Sequence, residues 1–178
     1  LNADLWRYSG PGHVNDMDML QVGRGMSYEE DKSHFTMWCI MESPLLAGND
    51  LRKMDKQTLD ILTNKEVIAL NQDPLVYQAR RLKDDGDLEV WAKPMISTMS
   101  GDVAVVLLNR SNKKSKMEFS LDSLGLKSEK GYTMRDLWAK KDYSSTKNKT
   151  QSFEVPAHGL IALRIKGTAR PFNVFQSK

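Results

Sequence analysis

Cysteine is almost absent: Cys39 stands alone among 178 residues, which excludes an internal disulfide framework and a cysteine-built structural zinc site. That scarcity does not fix the compartment, because many secreted enzymes also lack disulfides. No apolar run approaches the roughly 20 residues that a membrane-spanning helix needs, so nothing reads as a bilayer span. The first residue is Leu rather than Met, and no basic-then-apolar leader follows it. The expectation is a processed chain or a piece of something longer. Internal repeats and low-complexity tracts are also lacking. With 40% apolar and 28% charged residues, the composition is that of a globular chain and excludes a disordered or fibrous one. Its length suits one generous domain or two small ones.

The net charge of +3 hides an asymmetry. Residues 1–78 hold 7 Lys/Arg against 12 Asp/Glu, whereas residues 79–178 hold 19 against 11. Six of the ten Met fall in the acidic part. Two units in different surroundings are implied. The lysines of the basic part (Lys113, Lys114, Lys116, Lys140, Lys141, Lys147, Lys149) are scattered through turn-like segments without interleaved aromatics that would stack on bases. They read as a solvated surface rather than a nucleic-acid interface.

The first unit alternates strand and helix. Residues 15–22 (NDMDMLQV) alternate polar and apolar positions as a strand, broken by Gly23 and Gly25. Ser27-Tyr28-Glu29-Glu30 is a capping box, predicting a helix to about Glu42 with Phe35, Trp38 and Met41 facing inward. Ser43-Pro44 stops it, and Leu45-Leu46-Ala47 reads as a short, fully buried parallel strand. Asp55 and Asn64 are N-caps for two further helices, ended by Asn71-Gln72-Asp73-Pro74. Strands separated by helices argue for a parallel sheet, which two strands cannot build alone. The chain to about residue 76 therefore looks like the end of a larger barrel or doubly wound unit. Beyond it, short alternating segments predict strands: Leu88–Ala92 as a half-buried one, Val103–Leu108 as a central one, then 117–121, 153–155 and 161–165. Their spacing indicates an antiparallel sandwich or barrel, and the dozen residues after Lys166 a loose tail.

Among chemistry-bearing residues, Asp16 and Asp18 stand at i and i+2, which on a strand would turn both carboxylates to one pocket for acid/base work or sugar hydroxyls. The bland alternative is that one caps a loop and the other is exposed. A D-x-D pair alone lacks the further oxygens that Ca²⁺ requires. His13, His34 and His158 show no ligand spacing, and His34 reads as a partly buried, hydrogen-bonded residue rather than a base. Gly23-Arg24-Gly25 resembles an anion nest but fits no phosphate-loop pattern, so a flexible loop is expected. Ser9 and Ser43 have no nucleophile-elbow context. The sequons at Asn109 and Asn148 carry little weight.

Several segments together match one family. Gly10-Pro11-Gly12-His13-Val14-Asn15-Asp16-Met17-Asp18-Met19-Leu20 resembles the G-P-G-x-W-N-D-P-D-M-L segment of the glycoside hydrolase family 27 α-galactosidases (melibiases). Residues 43–52 resemble that family's next strand, and residues 64–75 its final barrel helix and exit. Leu88-Glu89-Val90-Trp91 and Ala157-His158-Gly159 are similar to its C-terminal domain. The resemblance implies the last βα units of a (β/α)8 TIM barrel over 1–76, an antiparallel Greek-key β-sandwich over 77–166, and a tail over 167–178. It implies retaining hydrolysis of terminal α-linked galactose by two aspartates, with neither the nucleophile nor the acid/base Asp in this segment. Asp4 lies in no matching motif. Asp18 and Met19 match sugar-pocket positions, and Asn15 and Asp16 supporting ones. No cofactor, metal, nucleic acid or membrane is implied; the expected partners are an α-galactoside and the N-terminal barrel portion of the same protein, and a homodimer is compatible with the pattern. Secretion or a periplasmic location follows from the family's substrates. Two departures stand out: Val14 replaces Trp, opening the pocket wall, and Met17 replaces Pro, which should relax the backbone that aims Asp18. They leave open a related sugar, as in an α-N-acetylgalactosaminidase or a β-L-arabinopyranosidase. A noncatalytic carbohydrate-binding module, with Trp91 or Trp138 exposed to stack on a sugar, is the alternative from another class.

Overall fold

The computed structural model describes residues 2–176, so Ser177 and Lys178 at the end of the expected tail lie outside the described residues. Capping chemistry sets the helices. In α1 (Tyr28–Ile40), the Ser27 side chain accepts from Glu30 N–H while the Glu30 carboxylate accepts from Ser27 N–H. Asp55 accepts from Thr58 N–H to start α2 (Lys56–Leu62), and Asn64 accepts from Glu66 and Val67 N–H to start α3 (Lys65–Asn71). Ahead of them, residues Asn2–Tyr8 form a 3-10 segment that hydrophobic patterning does not announce. The two barrel strands shrink to one parallel bridge, Leu20 with Ala47. The Leu45–Ala47 run is not fully buried as expected: Leu46 is 53% exposed, because two strands have no further neighbours to cover their edges and faces.

Eight antiparallel strands follow: β1 (Arg80–Asp85), β2 (Leu88–Pro94), β3 (Asp102–Asn109), β4 (Ser115–Ser120), β5 (Tyr132–Asp136), β6 (Lys141–Thr146), β7 (Thr150–Val155) and β8 (Leu160–Gly167). Six form a sheet in the order β1-β2-β3-β8-β5-β6, and β4 pairs with β7 in a second, two-stranded sheet. One face of the large sheet (Trp91, Ala104, Val106, Leu108, Leu160, Ala162) packs on Phe35, Cys39, Ile40, Ile61, Val67 and Leu70 of the helices. The opposite face (Val90, Ala92, Val103, Val105, Leu107, Leu163, Ile165) packs on Met117, Phe119 and Val155 of the small sheet. The result is three layers, with the large sheet in the middle.

That arrangement corrects the reading of Leu88–Ala92 as half-buried. Glu89, Trp91 and Lys93 lie on the face against the helices and are buried with the rest. Each polar group there finds a partner, as burial demands. Trp91 Nε1 donates to Glu89 Oε2 at 2.8 Å, and Lys93 pairs with Glu42 while donating to Leu70 O at 2.7 Å. Burial draws the Lys93 ammonium below the ordinary lysine value.

The segment after Gly167 is not the loose tail expected from its composition. Ala169 bridges Leu126, Lys127 N–H donates to Thr168 O at 2.8 Å, and Arg170 N–H donates to Gly125 O at 2.8 Å. Phe175 is 1% exposed in the sandwich core, an anchor that ties the strap down. Gly125 makes the close approach feasible: its φ is +68°, and a Cβ there would stand 2.1 Å from Asn173 Cβ.

Asn109 closes the sandwich at its far end. It is fully buried, and Nδ2 donates to the carbonyls of Lys113, Val155 and Pro156 at 2.7, 3.2 and 2.9 Å. This sequon is therefore a structural clasp. Asn109→Ala orphans these buried carbonyls and is expected to destabilise the chain by roughly 3 kcal/mol, read as a lowered urea midpoint with an unchanged m-value. A shift under about 0.5 kcal/mol would contradict the clasp.

Candidate functional site

The site grows from the segment that precedes the parallel bridge. Gly10-Pro11-Gly12-His13 is a tight turn in which His13 N–H donates to Gly10 O at 3.0 Å and Gly12 holds φ +85°. That matches a type II turn, with Pro preset at its second position and Gly at its third. Asn15 then anchors the chain, donating through Nδ2 to Leu5 O at 2.8 Å and to Gln78 Oε1 at 2.6 Å. Gln78 is 1% exposed, so this contact joins the loop to the exit from the helical unit.

The alternation expected for a strand fails at Asp18, whose φ is +71°. A non-glycine residue in the left-handed region costs free energy and persists only where its surroundings hold it. Here they do. Asp18 N–H donates to Asp16 Oδ1 at 2.8 Å, and Asp18 O accepts from Trp38 Nε1 at 2.9 Å. Met19 N–H donates to Asp18 Oδ1 at 2.7 Å. The two carboxylates thus do not act as a converging acid/base pair. Asp16 closes a local turn, and Asp18 remains exposed beyond it, the bland alternative for this dipeptide. Met19 is 45% exposed beside it. Among the described residues no group of three or more His, Cys, Asp or Glu could hold a metal.

Beneath Asp18 lies a tilted ring pair. The His34 and Trp38 rings stand 3.8 Å apart, and His34 Nε2 accepts from Gln21 N–H at 3.0 Å. Accepting requires the neutral ring, and burial lowers the His34 pKa to about 4. His34 is therefore the hydrogen-bonded residue that the sequence suggests. Gly23-Arg24-Gly25 is an exposed turn tied down at its first residue: Gly23 N–H donates to Asp31 Oδ2 at 3.2 Å, and a Cβ on Gly23 would stand 2.7 Å from Thr58. His158 bonds Asn112 Oδ1 at 2.6 Å in the turn before β8.

Three contributors escape sequence reasoning. Trp38 was legible only as an inward apolar residue, yet its indole N–H serves Asp18. Gln78 carries no motif at all. Ser43, discounted as a nucleophile, is fully buried and its Oγ accepts from Met17 N–H at 2.9 Å. That contact also corrects the expectation of a relaxed backbone at residue 17: Met supplies an N–H that Pro lacks, and Ser43 holds it.

Neither of the two tryptophans expected to serve a binding module as stacking platforms is exposed. Trp91 is 5% exposed and bonded to Glu89. Trp138 is half-buried and donates through Nε1 to Thr36 Oγ1 at 3.0 Å.

Comparison with known proteins agrees with this layout. Residues 2–73 match the family model described as Alpha galactosidase A, and residues 85–165 match the one described as Alpha galactosidase C-terminal beta sandwich domain. Alpha-galactosidase A of Cellvibrio japonicus is 43% identical over 173 residues, covering 92% of this chain and 42% of that protein. Alpha-galactosidase 3 of Arabidopsis thaliana is 46% identical over 158 residues, covering 85% of this chain and 35% of that protein. The crystal structure of alpha-galactosidase I from Mortierella vinacea superposes with a TM-score of 0.87 at 32% identity, covering 94% of this chain and 43% of that one. The fold is the closing part of a (β/α)8 barrel joined to an antiparallel β-sandwich. The chain belongs to the glycoside hydrolase family 27 α-galactosidases, and it spans about two fifths of the length of the curated relatives it matches.

The half-buried imidazole makes the site acid-sensitive. Its pKa is about 4 when folded against an ordinary 6.5, so the unfolded chain binds the proton first. The stabilisation is complete above pH 6.5 and is lost as pH falls toward 4, by up to about 3 kcal/mol. His34→Gln, which keeps an acceptor for Gln21 N–H but cannot titrate, is expected to flatten the stability profile between pH 6.5 and 4. An unchanged slope in urea unfolding across that range would contradict it.

Proposed function

We propose that the protein carrying this chain is a retaining α-galactosidase that removes terminal α-linked galactose from oligo- or polysaccharides. The observation that supports this best is Asp18: a non-glycine residue at φ +71°, its backbone held by Asp16 and Trp38, and its side chain exposed two residues ahead of the Leu20–Ala47 parallel bridge. Rare backbone geometry held rigid beneath an exposed carboxylate is what sugar recognition needs, because a pre-positioned acceptor binds hydroxyls without ordering cost. In the resembled family the position matched by Asp18 stands at a strand's C-terminal end, where barrel enzymes assemble their sites.

In this reading Asp18 accepts hydrogen bonds from galactose hydroxyls and Met19 lines the same wall. Asn15 and Asp16 act beneath them as backbone supports. The double displacement runs on two aspartates outside these residues. One attacks the anomeric carbon as the leaving oxygen is protonated by the other, which then activates water to release the sugar. The sandwich's contribution is to cover and stiffen the helical layer. In this reading the protein works outside the cell or in a periplasm, where such oligo- and polysaccharides are met.

Two assays test the reading. Full-length protein is expected to turn over an aryl α-galactoside, and the 178-residue chain alone is expected not to. Silence of the full-length protein on α-galactosides, with turnover of a β-L-arabinopyranoside or an α-N-acetylgalactosaminide, would reassign the substrate. Turnover by the isolated chain would overturn the placement of the catalytic pair. Within an active protein, Asp18→Asn is expected to lower kcat/KM by roughly tenfold to hundredfold, the scale of a charged hydrogen bond lost to substrate.

A further inference from the structure

Glu42 and Lys93 form a buried charged pair that the proposed chemistry does not use. Lys93 comes from β2 of the sandwich and is fully buried; Glu42 follows α1, is 5% exposed, and holds φ +59°, a second non-glycine residue in the left-handed region. The ammonium reaches two elements at once, pairing with the Glu42 carboxylate and donating to Leu70 O at the end of α3. Removing two charges from water is costly, so such a pair persists where its geometry fixes something else.

What it fixes is Ser43. On one side of Ser43 stands the clamped Glu42. The Ser43 N–H donates to Trp38 O at 3.2 Å, and Ser43 O accepts from Nδ2 of Asn71, the residue after Leu70, at 2.9 Å. With its backbone held at both polar groups, Ser43 has one free element, its hydroxyl, and that accepts from Met17 N–H at 2.9 Å. Met17 directly precedes the left-handed Asp18. A continuous run of contacts therefore leads from the sandwich to the residue before Asp18, through Lys93, Glu42, Ser43 and Met17.

We propose that Ser43 is a positioning residue for the sugar pocket, with Lys93 and Glu42 as its support, and that this polar chain does for Met17–Asp18 what a proline ring does at the corresponding place in the resembled motif. Proline restrains the backbone covalently by fixing φ. Here the restraint is a hydrogen bond to an N–H that proline lacks, anchored in the dry seam between helices and sheet. The role in the pocket rests on the reading of Asp18 as a sugar-binding residue; the restraint of the loop does not.

The test uses full-length protein with four variants: Ser43→Ala, Ser43→Ala with Met17→Pro, Glu42→Leu with Lys93→Met, and Val105→Ala as a destabilised control in the distant sandwich core. Two readouts are taken, amide hydrogen exchange at Asp18 and Met19, and KM for an aryl α-galactoside. Ser43→Ala is expected to speed exchange at both amides and to raise KM, each by about tenfold, the scale of a small misplacement at a binding site. Adding Met17→Pro is expected to bring both back within about twofold, a rescue that a purely stabilising serine would not give. The apolar Leu/Met pair restores packing without charge, and so is expected to keep the fold while leaving the loop loosened. The control is expected to move neither readout. Exchange in Ser43→Ala that stays within twofold of the parent overturns the proposal, as does a double Ser43/Met17 variant that remains loosened. A parent protein silent on α-galactosides counts against the proposed function alone, since the exchange readout decides the restraint without turnover.

Discussion

The middle strands of the large sheet are covered on both faces, and everything else follows from that. Because β2, β3 and β8 bury alternate residues against helices on one side and against β4 and β7 on the other, neither outer layer can be removed without exposing a continuous apolar face. Two units of opposite net charge are thereby made into one body. Polar contacts then fix the seam at defined places: Asn64 Nδ2 to Leu137 O at 3.2 Å, Trp138 Nε1 to Thr36 Oγ1 at 3.0 Å, Ser33 Oγ to His158 O at 3.1 Å, and the two-pronged Arg135–Glu66 pair. Dispersion and the hydrophobic effect hold the layers together, while these directional contacts set their register.

At the site the same economy appears in reverse. Protein interiors hide side chains and leave backbones to pair with each other, but residues 13–21 pair much of their backbone with side chains: Ser43 for Met17, Asp16 and Trp38 for Asp18, His34 for Gln21. A loop satisfied in this way needs a neighbouring segment only at Leu20, whose N–H donates to Leu46 O, and so the side chains of Asp16, Asp18 and Met19 stay exposed. That is the physical condition for a binding loop, rigid in its main chain and open in its substituents.

Local chemistry made much of this legible in the sequence. Ser27 with Glu30, Asp55 and Asn64 each start the helix they promise, because a cap satisfies specific N–H groups two or three residues on, and no distant partner is involved. Strands with strong alternation or continuous apolar runs were readable for a similar reason. β1 (RRLKDD), β5 (YTMRD) and β6 (KDYSST) were not: β1 and β6 form the sheet's two edges, and all three are rich in polar residues, so their pairing is decided by neighbours far along the chain. The buried Glu89 and Lys93 misled for the opposite reason. Alternating charges suggest a wet face, and only the helices packed on it make that face dry. At Asp18 the pattern of types was right and the geometry was wrong, since a positive φ forced by surrounding contacts leaves no trace in residue periodicity.

The seam also explains why the sandwich is better understood as part of the barrel than as a module attached to it. A detachable sugar-binding domain would present its aromatic residues to solvent, yet Trp91 turns into the helical layer and Trp138 bonds to α1. Even the final segment works inward, with Phe175 seated in the sandwich core and its carbonyl accepting from Tyr77 Oη at 3.2 Å, next to the exit from the helices. A domain that spends Trp91, Trp138 and the fully buried Lys93 on its neighbour has surrendered independence for rigidity. Rigidity delivered from the sheet side is a means of holding a left-handed aspartate in place while its own side chain stays exposed.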